Sequence, residues 1–213
     1  SFLERYVHIS TPEVYGNTSG FVNETHPFNP STPYAVSRAA ADMSLNSFVK
    51  AYDFPVVFTR AANVYGPGQQ LYRIIPRTIL YALTGRKLQL HGGGHSERSF
   101  IHIEDVSRAT VKVALQGTVG DCYHISTPHL ISIRDLVLKI CAMLDVDPDD
   151  IVEVVGERQG KDQTYSLDDS KLRKTLGWSD EISLDEGIRQ TIDWVRDNLD
   201  DLQQQPQSYI HKP

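Results

Sequence analysis

The chain has 213 residues, 40% of them hydrophobic and 23% charged, which is ordinary for a globular protein with a real core. Its net charge of -6 argues against a general binder of nucleic acid or acidic membrane, though net charge does not say where arginines converge. Two cysteines, Cys122 and Cys141, are too few for a disulfide framework or a metal site, and they read as structural thiols in a reducing compartment.

No apolar run reaches the ~18 residues that a membrane span needs, and no charged-then-apolar leader opens the sequence. These features point to a cytoplasmic protein. Ser1-Phe2-Leu3-Glu4-Arg5 runs directly into a buried-looking strand, so the expectation is that the N-terminal part of a larger protein precedes it.

In chain order, Tyr6-Val7-His8-Ile9 is a β-branched and aromatic run that reads as a strand, ended by Ser10, Thr11 and Pro12. Residues 16 to 33 read as one long loop, a kind often functional in compact domains. Pro33 suits a helix entry, and a helix is expected from Tyr34 to Ala51. Its apolar stripe would be Ala39 to Ala41, Met43, Leu45, Phe48 and Val49. Val56 to Arg60 is a strand, and Ala61 to Gly68 turns the chain.

A helix from about Arg73 to Thr84 stops at Gly85. Leu88 to His91 alternates like a strand, and Gly92-Gly93-Gly94 reads as a hairpin turn. Arg98 to Ile103 is a strand, Glu104-Asp105 sits where a helix cap belongs, and Val106 to Leu115 is the helix. Cys122 to Ser126 is a strand. Ser132 precedes an amphipathic helix with Leu136, Ile140 and Leu144 on one side. A short strand from Ile151 to Val155 and a helix from Asp169 to Leu176 follow. The last helix runs from Ser183 to about Leu199, with Leu184, Ile188, Ile192 and Trp194 as its core stripe, and a polar tail covers residues 203 to 213.

Strands alternate with helices throughout, so the class is α/β with a mostly parallel sheet. Residues 1–66 read as the C-terminal part of a Rossmann-like doubly wound domain carrying the catalytic residues. Residues 67–202 read mainly as a smaller mixed α/β substrate lobe, with segments returning to the sheet.

Tyr34 and Arg38 stand four residues apart, hence on one helix face. A tyrosine used as a base near neutral pH needs an adjacent positive charge, because its ordinary pKa is about 10. The alternative is a surface tyrosine lying along an arginine. Glu13, in a hydroxyl-flanked loop after a strand, suits removal of a proton beside a carbonyl, and ligand sites in open α/β sheets lie beyond the carboxyl ends of strands. A solvated loop glutamate is its bland counterpart.

Arg73, Arg98 and Arg158 each sit at an element edge, and guanidinium forks suit phosphates. Unrelated surface arginines remain the alternative. His124 beside Tyr123 is kept as a substrate-site candidate, although a histidine so placed is more often a core residue. Neither G-x-G-x-x-G nor G-x-x-x-x-G-K-[ST] occurs, so any dinucleotide fingerprint is expected upstream of Ser1.

Five segments in order carry a resemblance: Ser10-Thr11-x-Glu13-Val14-Tyr15-Gly16, Pro33-Tyr34-x-x-Ser37, Asn63-Val64-Tyr65-Gly66-Pro67, Arg98 to Val106, and Leu176-Gly177-Trp178. Together they resemble the extended short-chain dehydrogenase/reductase family, specifically its nucleotide-sugar dehydratases and epimerases. Glu157-Arg158-x-Gly160-x-Asp162-x-x-Tyr165-x-x-Asp168 is most similar to the dTDP-glucose 4,6-dehydratases, whereas Arg98-Ser99-Phe100 is more typical of epimerases and UDP-glucuronate decarboxylases.

The resemblance implies an NAD-dependent enzyme acting on a nucleotide-diphosphate sugar. Thr11, Glu13, Tyr34 and Arg38 would be catalytic, and Ser10, Tyr34 and Arg38 would contact the cofactor. Asn63, Arg98 and Arg158 match positions that hold the nucleotide diphosphate, with Arg73 and His124 added as substrate candidates. It also implies a homodimer through the tyrosine helix. The implied reaction is 4,6-dehydration to a 4-keto-6-deoxy sugar. A C4 epimerase, a decarboxylase-like enzyme or a catalytically degenerate nucleotide-sugar binder are the rivals. Two residues depart from the pattern: Pro12 stands where the dTDP-glucose dehydratases carry a proton-donating Asp, and Arg38 where the family has Lys.

Overall fold

The computed structural model describes residues 2–156 and 166–207. In chain order the strands are β1 (Tyr6–Ile9), β2 (Phe21–Val22), β3 (Val56–Ala61), β4 (Asn63–Tyr65), β5 (Leu88–His91), β6 (Glu97–Arg98), β7 (Phe100–His102), β8 (Cys122–Ile125), β9 (Ile131–Ser132), β10 (Val152–Val155) and β11 (Ser166–Leu167). The helices are α1 (Pro33–Tyr52), α2 (Ile74–Thr84), α3 (Ile103–Gln116), α4 (Ile133–Leu144), α5 (Pro148–Ile151), α6 (Ser170–Leu176), α7 (Leu184–Asp197) and α8 (Leu199–Gln203). The class is α/β, as expected. No described helix is long and apolar enough to cross a membrane.

The described residues divide into two compact units. The first comprises those of Ser1–Val64, Arg98–Leu130 and Asp162–Ile182, and the second those of Tyr65–Glu97, Ile131–Lys161 and Ser183–Pro213. The first unit is built on a parallel sheet in the order β1-β3-β8, with Val7 opposite Val57, His8 opposite Phe58, Phe58 opposite Cys122 and Arg60 opposite His124. Its middle strand, Val-Val-Phe-Thr-Arg-Ala, is β-branched and aromatic and buried on both sides, as a central parallel strand must be.

Period-two alternation then sorts the side chains. One face carries Val57, Tyr123 and Ile125, packed with Ala109 and Val113 of α3 and with Leu172 and Trp178 around α6. The other face carries His8, Phe58, Arg60 and His124.

Helix α1 is capped by Thr32, whose hydroxyl accepts from Ala35 N at 3.1 Å, and Pro33 occupies the first turn. Its buried side shares only Ala39 with the expected stripe among fully buried residues. Ala35, Ala39 and Asp42 are buried, while Met43 and Phe48 are exposed, because the small residues let the helix approach and Asp42 finds a cation beneath it. The cap of α3 is also not Glu104-Asp105. His102 is the N-cap, and Asp105 in the first turn is fully buried, accepting from Glu181 N at 3.0 Å and Ile182 N at 3.1 Å. Trp178 Nε1 donates to the Asp105 carbonyl at 3.2 Å, so this aspartate ties α3 to the Gly177-Trp178 turn.

In the second unit β5 pairs in parallel with β10, and α2 packs against α4. Ala82, Leu88, Leu90, Val137, Cys141 and Ile151 form its core. The glycines after β5 do not close a hairpin: Gly92, Gly93 and Gly94 all take positive φ in a short turn, and the partner of β5 comes from far along the chain. Residues 16 to 33, expected to be all loop, contain β2, which pairs with β11. That partner is distant in sequence and invisible to local pattern.

Candidate active site

At the carboxyl end of β1 the chain enters a single 3-10 turn, Pro12–Tyr15. Thr11 caps it, its hydroxyl accepting from Glu13 N at 3.3 Å. Pro12 needs no N–H in that position, and its ring fixes the entry. Val14 and Tyr15 bury themselves with Val22, Ala39 and Leu167, and half-buried Glu13 stands between buried Pro12 and Val14. Gly16 ends the turn at φ 64, where a Cβ would come within 2.2 Å of the Asn29 carbonyl oxygen. Only glycine fits there.

Helix α1 packs alongside this turn. Tyr34, in its first turn, is 54% exposed, and Ser37 turns its hydroxyl back onto the Tyr34 carbonyl at 2.7 Å. Thr11, Glu13, Tyr34 and Arg38 are thus gathered on two neighbouring elements at the strand end, where an α/β sheet offers a ligand crevice. Arg38 uses Nη2 on the Ile9 carbonyl, with His8 Nε2 at 3.4 Å from the same nitrogen. Its guanidinium is therefore partly committed to the strand.

Beneath the turn lies a buried polar chain that sequence reasoning missed. Asp42 Oδ2 accepts from Ser10 Oγ at 2.7 Å and from Arg60 Nη2 at 2.7 Å, and Asp42 Oδ1 faces His8 Nε2 at 3.1 Å. Arg60 Nη1 donates to the Tyr15 hydroxyl at 2.5 Å, and the guanidinium lies over the rings of Tyr15 and Phe28, 5.0 Å from each centroid. Tyr15 in turn lies 2.7 Å from His124 Nε2, while His124 Nδ1 faces the Asp168 carbonyl at 3.2 Å. A carbonyl only accepts, so the proton belongs on Nδ1 and Tyr15 donates to Nε2.

Burial, reinforced by the Arg60 charge, pushes the His124 pKa down to about 3, and burial pushes the Tyr15 hydroxyl well above its ordinary range. Burial likewise raises the Cys122 thiol to about 12, leaving it unreactive. Half-buried Glu24 accepts from His124 N at 2.9 Å, and burial raises its carboxyl too. An arginine inside an otherwise apolar strand, and an aspartate four residues beyond Arg38, were the sequence signals for this chain.

The remaining candidates are scattered. Asn63 Nδ2 donates to the Ser99 carbonyl at 3.0 Å, beside buried Arg98, within the first unit. Arg73 is exposed in the second unit, over the ring of Tyr72. Arg158 lies outside the described residues, as does most of the Glu157-to-Asp168 motif. His124 is fully buried with both nitrogens engaged, so it stands in this structure as a core residue and not as a substrate contact. Ser10 spends its hydroxyl hydrogen on Asp42, leaving only oxygen lone-pair capacity for a cofactor. Among the described residues, no group of three or more His, Cys, Asp or Glu side chains is placed to hold a metal.

The chain is similar to known proteins. Residues 3–191 match the family model described as GDP-mannose 4,6 dehydratase. The chain is 38% identical, over 200 residues, to the trifunctional UDP-glucose 4,6-dehydratase/UDP-4-keto-6-deoxy-D-glucose 3,5-epimerase/UDP-4-keto-L-rhamnose-reductase of Arabidopsis thaliana, covering 92% of this chain and 30% of that protein. It is similar to the crystal structure of DesIV, a dTDP-glucose 4,6-dehydratase from Streptomyces venezuelae with NAD bound, at a TM-score of 0.87 and 35% identity, covering 91% of this chain and 60% of DesIV. It also resembles UDP-glucuronic acid 4-epimerase from Bacillus cereus, in complex with UDP-glucuronic acid and NAD, at a TM-score of 0.86 and 26% identity, covering 91% of this chain and 62% of the epimerase. The chain therefore spans under two thirds of the length of each of these proteins. It belongs to the GDP-mannose 4,6 dehydratase family, among the extended short-chain dehydrogenases/reductases that its five sequence segments resemble.

Proposed function

We propose that this chain carries the proton-transfer residues of an NAD-dependent nucleotide-sugar 4,6-dehydratase that forms a 4-keto-6-deoxy sugar nucleotide. The observation that carries this reading is the packing of α1, whose first turn carries the exposed Tyr34, against the turn that carries Glu13 and is capped by Thr11. The NAD bound in DesIV and in the epimerase supports the cofactor. The residues here fit it, since the Tyr34 hydroxyl is open and Arg38 commits only Nη2, leaving Nη1 and Nε for ribose hydroxyls. Bound NAD supplies a hydride acceptor at C4 of the sugar and later a hydride donor at C6.

Tyr34 removes the proton of the C4 hydroxyl as the C4–H bond breaks, and Thr11 orients that hydroxyl through its own hydrogen. The resulting ketone acidifies the C5–H bond. Glu13 takes that proton and delivers it to the departing C6 hydroxyl, which leaves as water; reprotonated from solvent, Glu13 then returns a proton to C5 as hydride adds at C6. Pro12 carries no proton, so both steps of the elimination fall to one carboxylate. Asn63, Arg98 and Arg158 are assigned to the nucleotide diphosphate. The same reading makes the chain part of a cytoplasmic homodimer joined through α1, whose Val36, Met43, Phe48 and Tyr52 are exposed.

Incubation with NAD and dTDP- or UDP-glucose should yield a 4-keto-6-deoxy product, and Tyr34→Phe should lower kcat by about 10²- to 10⁴-fold. A stereoisomer of unchanged mass would instead establish a C4 epimerase. Pro12 favours that second reading, because epimerisation needs only Tyr34, Thr11 and rotation of the keto sugar.

A further inference from the structure

The catalytic segment is fastened at both ends to one buried ion pair. Ser10, the residue before Thr11, donates to Asp42 at 2.7 Å, and Tyr15, the last residue of the turn, accepts from Arg60 at 2.5 Å. Asp42 and Arg60 are themselves joined at 2.7 Å, with side chains essentially removed from solvent. Asp42 lies on the same helix as Tyr34, eight residues on, so whatever fixes Asp42 also fixes the segment against Tyr34. Between the two anchors lie Thr11, Pro12, Glu13 and Val14. Of these, Glu13 is the one that is partly exposed.

We propose that Asp42 and Arg60 are positioning residues, a clamp that sets Thr11 and Glu13 in register with Tyr34 and touches neither substrate nor cofactor. This deepens the dehydratase reading and rests on it for its catalytic weight. The physical reason for using a charge here is directional. Apolar packing of Val14 and Tyr15 holds the turn against α1 but tolerates sliding, whereas a carboxylate-guanidinium pair with two hydroxyl partners permits one arrangement. Displacement of a catalytic group by about 1 Å costs on the order of 100-fold in rate.

The test combines amide hydrogen exchange of residues 10–16 with steady-state kinetics on a nucleotide sugar. Asp42→Asn, which keeps the shape and removes the charge, should speed exchange in residues 10–16 by at least about tenfold while α3 exchange holds. It should lower kcat by about 100-fold, with KM within about twofold. Ser10→Ala and Tyr15→Phe each release one end and should show the same pattern more weakly, with Ser10→Thr restoring it. These single-end variants carry the test if Asp42→Asn does not fold. Unchanged exchange in residues 10–16 across the folded variants overturns the clamp, as does a loss confined to KM. If the wild-type protein turns over no nucleotide sugar, the functional reading fails, and the exchange experiment still decides whether the clamp exists.

Discussion

The two faces of the β1-β3-β8 sheet are both buried and are filled with different chemistry. Toward α3, Val57, Tyr123 and Ile125 meet Ala109, Val113, Leu172 and Trp178 in an apolar layer. Toward α1, Arg60 and His124 join Asp42, Ser10 and Tyr15 in a chain of short hydrogen bonds, and His8 Nε2 lies 3.1 Å from the other Asp42 oxygen. The apolar face is stabilised in proportion to the area it hides and is indifferent to small changes of angle. The charged face has to recover a desolvation cost through geometry, and it does so where the catalytic segment leaves the sheet. Stability and placement are thereby separated onto two sides of the same three strands.

The largest effect should come from unbalancing the charged face. Arg60→Met leaves Asp42 buried without its cation and should cost about 3–5 kcal/mol of unfolding free energy. The double variant Asp42→Leu with Arg60→Met should recover that loss, or exceed the wild type by about 1–4 kcal/mol, in urea denaturation. If the single and double variants are equally destabilised, the pair is not the unit described here.

The next effect is acid sensitivity. His124 is held neutral, its pKa lowered to about 3 against an ordinary value near 6.5, so in the window between those values the unfolded chain binds a proton that the folded one refuses. Its contribution is fully present above pH 6.5 and is lost as the pH falls, at up to about 1.4 kcal/mol per unit. Between pH 6.5 and 5 this amounts to about 2 kcal/mol. The lowered pKa values of His8 and His102 act in the same direction. Urea midpoints at the two pH values measure it, and His124→Gln should flatten the slope. A wild-type stability that does not change over this interval would contradict a neutral buried His124.

The smallest effect belongs to the apolar face. Ile125→Val removes one methylene from a fully buried site and should cost about 0.5–1.5 kcal/mol, with no change in exchange of residues 10–16. A local effect on that segment would show that the two faces are not separable.

Much of this was legible in the sequence. β1, α2 and α4 follow from alternation, apolar periodicity and caps such as Ser132, which accepts from Asp135 N at 2.9 Å. Thr11, Glu13 and Tyr34 were nameable because the segments that hold them are contiguous, and their chemistry is carried by residue type. Asp42 was not nameable: a lone aspartate on a helix reads as solvent-facing until a cation from a distant strand is placed under it.

What the sequence determines by itself is therefore local: the alternation of strands and helices, the turn that Thr11, Pro12 and Gly16 enforce, and the family to which the segments belong. Tertiary structure decides which residues bury. It buries Asp42 and Ala35 beside the expected Ala39 and leaves Met43 and Phe48 exposed, and it makes His124 a core residue. It also makes Asp105 a tie between α3 and the Glu181–Ile182 backbone where a cap was expected. The reason is that a polar side chain buries only when its partners arrive, and those partners come from strands and loops far away in the chain.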